Sequence, residues 1–286
     1  MEKIEKRKSI REFKKRDLEP QKIQAILDGY EKLHRLIPSI KTELVIRTGD
    51  VKTRLEGVAG YKGKSFMAPA YLVLLSEAAD YYLENAGYMA EDLCLLLTEL
   101  GISHCWLTAD DSDATKKAAE IESDMEAVVV IACGIGVKER TKKRLDIFTP
   151  SNVQYIKREG HVAPKIAQEE LVYLDRWNQP VDWDDPQIDR LLDQSFYAAS
   201  LAPSFLNRQP YRYIFKTKNR QIILCVKKEE MTSLKDTRLD IGATMFNFDA
   251  IASEVDWVDW TMGEPEGIED CCLPDEYDAV AYYNWE

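Results

Sequence analysis

Ser200-Leu-Ala-Pro-Ser-Phe-Leu-Asn-Arg-Gln-Pro-Tyr-Arg-Tyr213 joins a helix pattern to a strand pattern through a short polar turn. Ahead of the turn, Ile188, Leu191, Leu192 and Ala199 fall on one helical face, with Asp185 placed as N-cap and Pro186 at the first helical position. Pro203 ends that helix, because proline removes an amide donor and biases the preceding residue away from the helical region. Tyr211 to Lys216 then alternates as a half-buried strand does. Between them stand Ser204, Asn207 and Gln209, three hydrogen-bonding side chains on a stiff turn. Any turn prefers such residues, so this stretch takes its meaning from what surrounds it.

The surroundings first exclude several classes. The chain has 286 residues and a net charge of −12, the wrong sign for a nucleic-acid partner, which needs a basic stripe. A hydrophobic content of 45% fits an ordinary core of one large domain or two. No apolar run is long enough to span a bilayer, and Met1 to Asp17 is charged rather than a secretory segment. The expectation is a cytoplasmic protein with no membrane partner. Six cysteines are scattered without metal-ligand spacing, and the adjacent Cys271 and Cys272 are poorly placed for a structural bridge. His34, His104 and His161 have no carboxylate or cysteine partner at a ligand spacing, so no metal site is expected.

Toward the N-terminus, Arg7, Lys8, Ser9, Arg11, Lys14, Lys15 and Arg16 make a basic island around Ile10 and Phe13. Pro20 starts a helix with the stripe Ile23, Ile26, Leu27, Tyr30, Leu33 and Ile37, stopped by Pro38-Ser39. Thr42 to Arg47 reads as a strand, Gly57 to Lys64 as a flexible loop, and Ala70 to Leu75 as a second strand. A helix with Ala86, Ala90, Leu93, Leu97 and Leu100 inward stops at Gly101. The loop Ile102 to Trp106, an acidic segment and the apolar strand Ala127 to Ala132 follow, and then a second basic cluster, Arg140 to Arg144.

Slid along itself, the chain repeats. Ile23 pairs with Ile188, Ile26 with Leu191, Leu27 with Leu192, Pro38 with Pro203 and Ser39 with Ser204. Thr42 to Arg47 then pairs with Tyr211 to Lys216 once four extra residues are allowed to the second copy. Gly87 and Trp106 find counterparts in Gly242 and Trp260, and Ala127 to Ala132 in Ala279 to Tyr283. Residues 1–164 and 165–286 therefore read as two halves of a duplicated unit, interlocked as one pseudo-dimer. Each half keeps different parts: the first the basic island, the second the polar turn. One complete composite site and one degenerate site are expected.

Arg7-Lys8-Ser9-Ile10-Arg11-Glu12-Phe13, Ala202-Pro203-Ser204 with Asn207, Gln209 and Pro210, Gly101 to Leu107, and Leu239-Asp240-Ile241-Gly242 through Trp260 resemble the nitroreductase family of flavin oxidoreductases, in its fused single-chain branch. The resemblance implies an α+β nitroreductase-like fold and flavin mononucleotide (FMN) as cofactor. It implies that Arg7, Lys8, Ser9 and Arg11 grip the flavin phosphate, with Lys143 and Arg144 as a second basic pair. Pro203, Ser204 and Asn207 would meet the flavin ring from the other half, with Gln209 nearby. Phe205 stands where many relatives have a small polar residue, and would pack on the flavin or narrow the acceptor pocket. Ser103, His104, Cys105 and Trp106 would form the loop beside the reactive edge, and Tyr61, Lys62 and Lys64 would lie near the pyrimidine edge or the phosphate. The implied activity passes hydride from NADH or NADPH through FMN to a small electron-poor acceptor such as a nitroaromatic or quinone, with no side chain serving as catalytic acid or base. A flavin-binding protein without turnover and a flavin-free degenerate scaffold are the alternatives.

Overall fold

A computed structural model of the chain describes residues 1–49, 51, 55–137, 163–185, 188–228, 230, 232–253 and 259–285, and the backbone alone of 141–149 and 152–159. Two compact units divide it, Glu2–Ala163 and Pro164–Glu286, with Met1 grouped with the second.

The first unit opens with the short helix α1 (Glu2–Lys6) and then α2 (Pro20–Tyr30). Pro20 sits in the first turn of α2, where its missing amide costs nothing. The helix stops at Tyr30, short of the expected end at Pro38; Leu33 is nonetheless buried, whereas Leu27 lies on the exposed side. β1 (Thr42–Thr48), β2 (Ala70–Ser76), α3 (Tyr82–Glu99), β3 (Ser103–Leu107), α4 (Ser112–Ala118) and β4 (Glu126–Gly134) follow. The sheet order is β1-β2-β4-β3, antiparallel throughout. β2 is buried at every position, which is why it reads as a continuous apolar run. Its Tyr71, Val73 and Leu75 enter a core with Val45, Leu55, Phe66, Cys105 and Leu107. α3 packs on β2, β3 and β4. A backbone hairpin, β5 (Thr141–Thr149) with β6 (Asn152–Glu159), completes the unit.

Two local readings change. Ile102 to Trp106 was expected as a loop, but Ser103–Leu107 is a strand, paired with β4 from Ser103–Gly134 to Leu107–Val130. Gly57 to Lys64 was expected to be flexible, yet it closes on itself: Gly57 N donates to Gly63 O (3.0 Å) and Gly63 N to Gly60 O (2.9 Å), while Gly60 N reaches Thr108 O just past β3 (2.8 Å).

The second unit contains α5 (Gln168–Leu171), β7 (Val172–Leu174), α6 (Arg190–Ser200), β8 (Tyr211–Lys216), β9 (Gln221–Lys227), α7 (Leu234–Ala252), β10 (Thr261–Met262) and β11 (Tyr277–Asn284). The N-cap of α6 is Asp189, whose carboxylate accepts from Leu192 N at 2.8 Å, and not Asp185; Pro186 lies outside the described residues. The sheet order is β10-β11-β9-β8-β7. Phe196, Tyr213, Phe248 and Trp260 pack ring against ring between α6, β8 and α7. Truncating a buried ring of this kind costs about 3–5 kcal/mol.

Element for element, β8-β9-β11-β10 repeats β1-β2-β4-β3 with the same antiparallel pairings, and α6 and α7 stand in the chain where α2 and α3 do. Trp106 Nε1 donates to Cys94 Sγ on α3 (3.0 Å) and Trp260 Nε1 to Asp249 Oδ1 on α7 (2.7 Å). The register of the repeat needs correction. α2 and α6 each have 11 residues, so Pro20 matches Arg190, and Ile188 falls before the helix instead of matching Ile23. The spacers to β1 and β8 then differ by one residue, not four. The Pro-Ser identity had pulled the alignment off by more than a turn.

Candidate functional site

In the first unit the basic island is a docked arm. Arg7 N closes α1 on Lys3 O (3.0 Å), and Ile4 of that helix is buried. Ser9 bridges His104 in parallel, and Ile10 N donates to His104 O at 2.8 Å, so the arm lies along the free edge of β3. Further on, Lys14 N donates to Ile135 O (2.8 Å) and Val137 N to Glu12 O (3.0 Å). A backbone paired at two successive points along its length cannot slide, which fixes the register of Lys8, Ser9 and Arg11.

The arm's cations differ in setting. Lys8 is exposed, and Ser9 and Arg11 are half-buried. The Arg11 guanidinium lies 5.6 Å from the Phe66 ring centroid, and its Nη1 donates to Ser9 O at 3.3 Å. Phe66 is itself held, since Tyr71 OH donates to Phe66 O at 2.8 Å and accepts from Ala68 N. Arg7 is turned inward. Its Nε is 3.1 Å from Glu91 Oε1 on α3, with side-chain exposures of 6% and 0%. Its Nη1 is buried and meets no hydrogen-bond partner among the described residues.

The side chains of β3 point mostly away from the arm. His104 is buried against α3 with Nε2 3.2 Å from Thr98 Oγ1. Burial, with the Arg7 charge beside it, pushes the imidazole down to about 3, so the ring is neutral and contributes through its backbone. Cys105 is buried in the core, and Trp106 is spent on Cys94. Gly136 passes so close that a Cβ there would meet Ser103 Oγ at 2.7 Å. Lys143 and Arg144 are on β5, but their side chains lie outside the described residues.

In the second unit, the turn after Pro203 is a single 3-10 turn, Phe205–Asn207. Leu206, Asn207 and Gln209 all take left-handed φ, at 51°, 57° and 50°, a conformation that costs most residues about 1–2 kcal/mol. Side chains hold it. Phe205 N donates to both carboxylate oxygens of buried Asp240 on α7 (2.9 and 3.0 Å), and Gln209 N donates to Ser204 Oγ (2.9 Å). Gln209 Oε1 accepts from Ile166 N at 2.7 Å, and Asn207 Nδ2 donates to Pro164 O at 2.9 Å. Lys165 Nζ donates to Ala202 O. Burial raises the Asp240 carboxyl well above the usual carboxylate range, against the pull of the Phe205 amide. Pro203 and Phe205 are half-buried.

The sequence missed Glu91 and Phe66, and named Asp240 only within the motif Leu239-Asp240-Ile241-Gly242, without a role. Glu91 and Asp240 had a signal, since each puts a carboxylate among the buried positions of its helix. The histidine reading also needs an amendment: His34 Nδ1 does find a carboxylate, Asp92 Oδ2 at 2.9 Å, one that sequence spacing does not reveal. Among the described residues no group of three or more metal-ligating side chains converges, and no helix is long and apolar enough to cross a membrane.

Comparison with known proteins places this geometry. No curated protein sequence matches. Among solved structures, one described as a "putative nitroreductase" from Thermotoga maritima MSB8 matches 99% of this chain and 92% of its own, with a TM-score of 0.55 and 18% identity, a likeness of fold. An FMN-dependent nitroreductase from Clostridium difficile R20291 (TM-score 0.42, 21% identity) covers 49% of this chain and 89% of its own. A nitroreductase family protein from Clostridium novyi NT (0.42, 19%) covers 47% and 85%. The family described as "Putative TM nitroreductase" matches residues 1–252. A match over that much of the sequence settles the lineage: the chain belongs to this nitroreductase family.

Proposed function

We propose that the protein is an FMN-dependent oxidoreductase that takes reducing equivalents from NADH or NADPH and delivers them to a small electron-poor acceptor such as a nitroaromatic or quinone. The observation that carries the reading is the arm: a buried guanidinium edge on Arg7 with no hydrogen-bond partner among the described residues, followed within four residues by the Lys8 ammonium, the Ser9 hydroxyl and the Arg11 guanidinium. A dianionic phosphate is the ligand such a donor set suits, since charge-assisted bonds from guanidinium forks are strong and directional. The arm residues therefore fit the phosphate end of FMN.

FMN, when bound, supplies the redox chemistry. The chain's own part is to bind and orient. Arg7, Lys8, Ser9 and Arg11 are assigned to the phosphate, with Lys143 and Arg144 as a second basic pair. Pro203, Ser204, Phe205 and Asn207 are assigned to the ring. The side-chain amides of Asn207 and Gln209 are largely engaged within their own unit, so this turn would offer a rigid backbone and the apolar faces of Pro203 and Phe205. Ser103, His104, Cys105 and Trp106 would contribute main chain more than side chain. No acid–base residue is needed, and a histidine held neutral is consistent with that. The two halves would act as a pseudo-dimer within a monomer.

The absorption spectrum of the purified protein tests this, followed by anaerobic addition of NADH or NADPH. Flavin bands that bleach with one of the two donors are expected. A yellow protein that never bleaches binds flavin without turnover. Protein that stays colourless after incubation with FMN and desalting is a flavin-free scaffold.

A further inference from the structure

Arg7 enters the interior of the first unit as a full charge, because a guanidinium does not release its proton there. A lone buried charge is strongly unfavourable, and removing one partner of a buried pair leaves such a charge behind. The carboxylate that meets it is Glu91, fully buried midway along α3, 3.1 Å from Nε. Three residues beyond Arg7, the Ile10 amide makes the first bond of the arm to the β3 edge, at His104 O. Arg7 is thus the last anchor before the segment that carries Ser9 and Arg11. Glu91 takes one edge of the guanidinium, and the Nη1 edge has no hydrogen-bond partner among the described residues.

We propose that Glu91 is a positioning residue that docks the N-terminal arm on β3 before any phosphate arrives. It offsets the Arg7 charge inside the unit, so the arm is held in its binding geometry in flavin-free protein. It also aims the guanidinium, with the Nε edge toward α3. A ligand that meets a pre-docked arm does not bear the cost of ordering it. The consequence for binding rests on the assignment of this arm to the FMN phosphate; the docking itself does not.

The test is amide hydrogen exchange on the full-length, flavin-free protein, comparing wild type with Glu91→Gln, which keeps the volume and removes the charge. Exchange at the Ile10 amide should be at least about a hundredfold faster in the variant, the floor expected for a broken buried ion pair. Amides of β2 and β4 should be unchanged. Adding FMN should restore protection of Ile10, with its phosphate supplying the missing negative charge, whereas riboflavin should not. Equal protection of Ile10 in the two proteins overturns the proposal. So does acceleration spread evenly over β2 and β4, which makes Glu91 a residue of the fold in general. If Ile10 alone accelerates but FMN does no better than riboflavin, the docking role stands and the phosphate assignment falls. Should Glu91→Gln fail to fold, Arg7→Met with Glu91→Gln removes both charges together. Ile10 should then stay protected without any ligand, since no unpaired charge is left inside the unit, and an unprotected Ile10 there also overturns the proposal.

Discussion

His104 shows how burial decides what a titratable side chain can do. Its ring is 1% exposed and titrates near 3, because desolvation and the Arg7 guanidinium both oppose a second positive charge. An unfolded histidine titrates near about 6.5. Between those values the unfolded chain binds a proton that the folded chain does not, so stability falls as the pH drops from about 6.5 toward 3. The slope from this one group reaches about 1.4 kcal/mol per pH unit. Above that window both states are neutral at His104 and it contributes no pH dependence. His104→Gln should therefore be less stable than wild type near neutrality, where the Thr98 contact and packing are lost, and the gap should close as the pH falls. Urea unfolding across the window checks this; parallel curves for the two proteins would mean that the imidazole is not held neutral. The loop reading of Ser103 to Trp106 gave no hint of this role, because the partners that bury His104 come from α3 and from the arm.

At the scale of elements, glycines separate conformational cost from steric cost. Gly101 ends α3 with φ of +66°, Gly101 N bonding Thr98 O (3.1 Å) and Ile102 N bonding Leu97 O (2.8 Å), the paired pattern that caps helices. A Cβ there would meet nothing within 4 Å, so Gly101→Ala should cost only the left-handed penalty, about 1 kcal/mol. Gly60 has φ of +93°, and its Cβ would meet Lys64 O at 2.2 Å. Gly60→Ala should cost beyond about 2 kcal/mol, since the loop must open and release Thr108 O. Denaturant midpoints of the two variants decide it, and equal losses would show that the closed form of Gly57 to Lys64 is not populated. The Gly101 stop was readable because its signal is local, as were β1, β2, β4, β8 and β11, whose apolar content follows from burial. Asp189 as the cap of α6 was misread as Asp185 because an Asp-Pro pair offers a stronger local signal than an aspartate alone. β3 was missed because a five-residue edge strand containing serine, histidine and cysteine has no pattern of its own; pairing with β4 and the arm makes it a strand. Of the candidate site, the basic spacing and the polar turn were legible. Glu91 and Asp240, which fix each of them, act across 84 and 35 positions of sequence and were not.

For the whole molecule, the repeated topology raises a question of number: two copies of a fold that keeps one site each could hold two flavins or one. The arm of the first copy brings Arg7, Lys8, Ser9 and Arg11 to an edge strand. Carried toward the N-terminus, the Ile23–Ile188 pairing sets Val172 to Arg176 against Arg7 to Arg11, and the corrected Pro20–Arg190 pairing sets Trp177 to Val181 there; the first segment holds one cation, Arg176, and the second none. β7 pairs in parallel with β8, and Asp175 follows at φ of 58° with its carboxylate taken up by Thr217, from N at 2.7 Å and from Oγ1 at 3.1 Å. A carboxylate engaged in a turn repels a phosphate and offers it no donor. Arg176 is exposed and sits beyond that turn. The polar turn is equally one-sided, since Ser204 and Gln209 bond to each other's segment while the first copy has only Pro38-Ser39 in its spacer. The expected stoichiometry is therefore one FMN per chain, measured as flavin released on denaturation against protein concentration. Arg11→Ala should lower flavin retention by about tenfold or more, the loss typical of one charge-assisted contact, while Arg176→Ala leaves it unchanged. Two flavins per chain, or equal losses from the two arginines, would require the second copy to bind phosphate without the run of cations that the first copy carries, and the assignment of the arm would have to be given up.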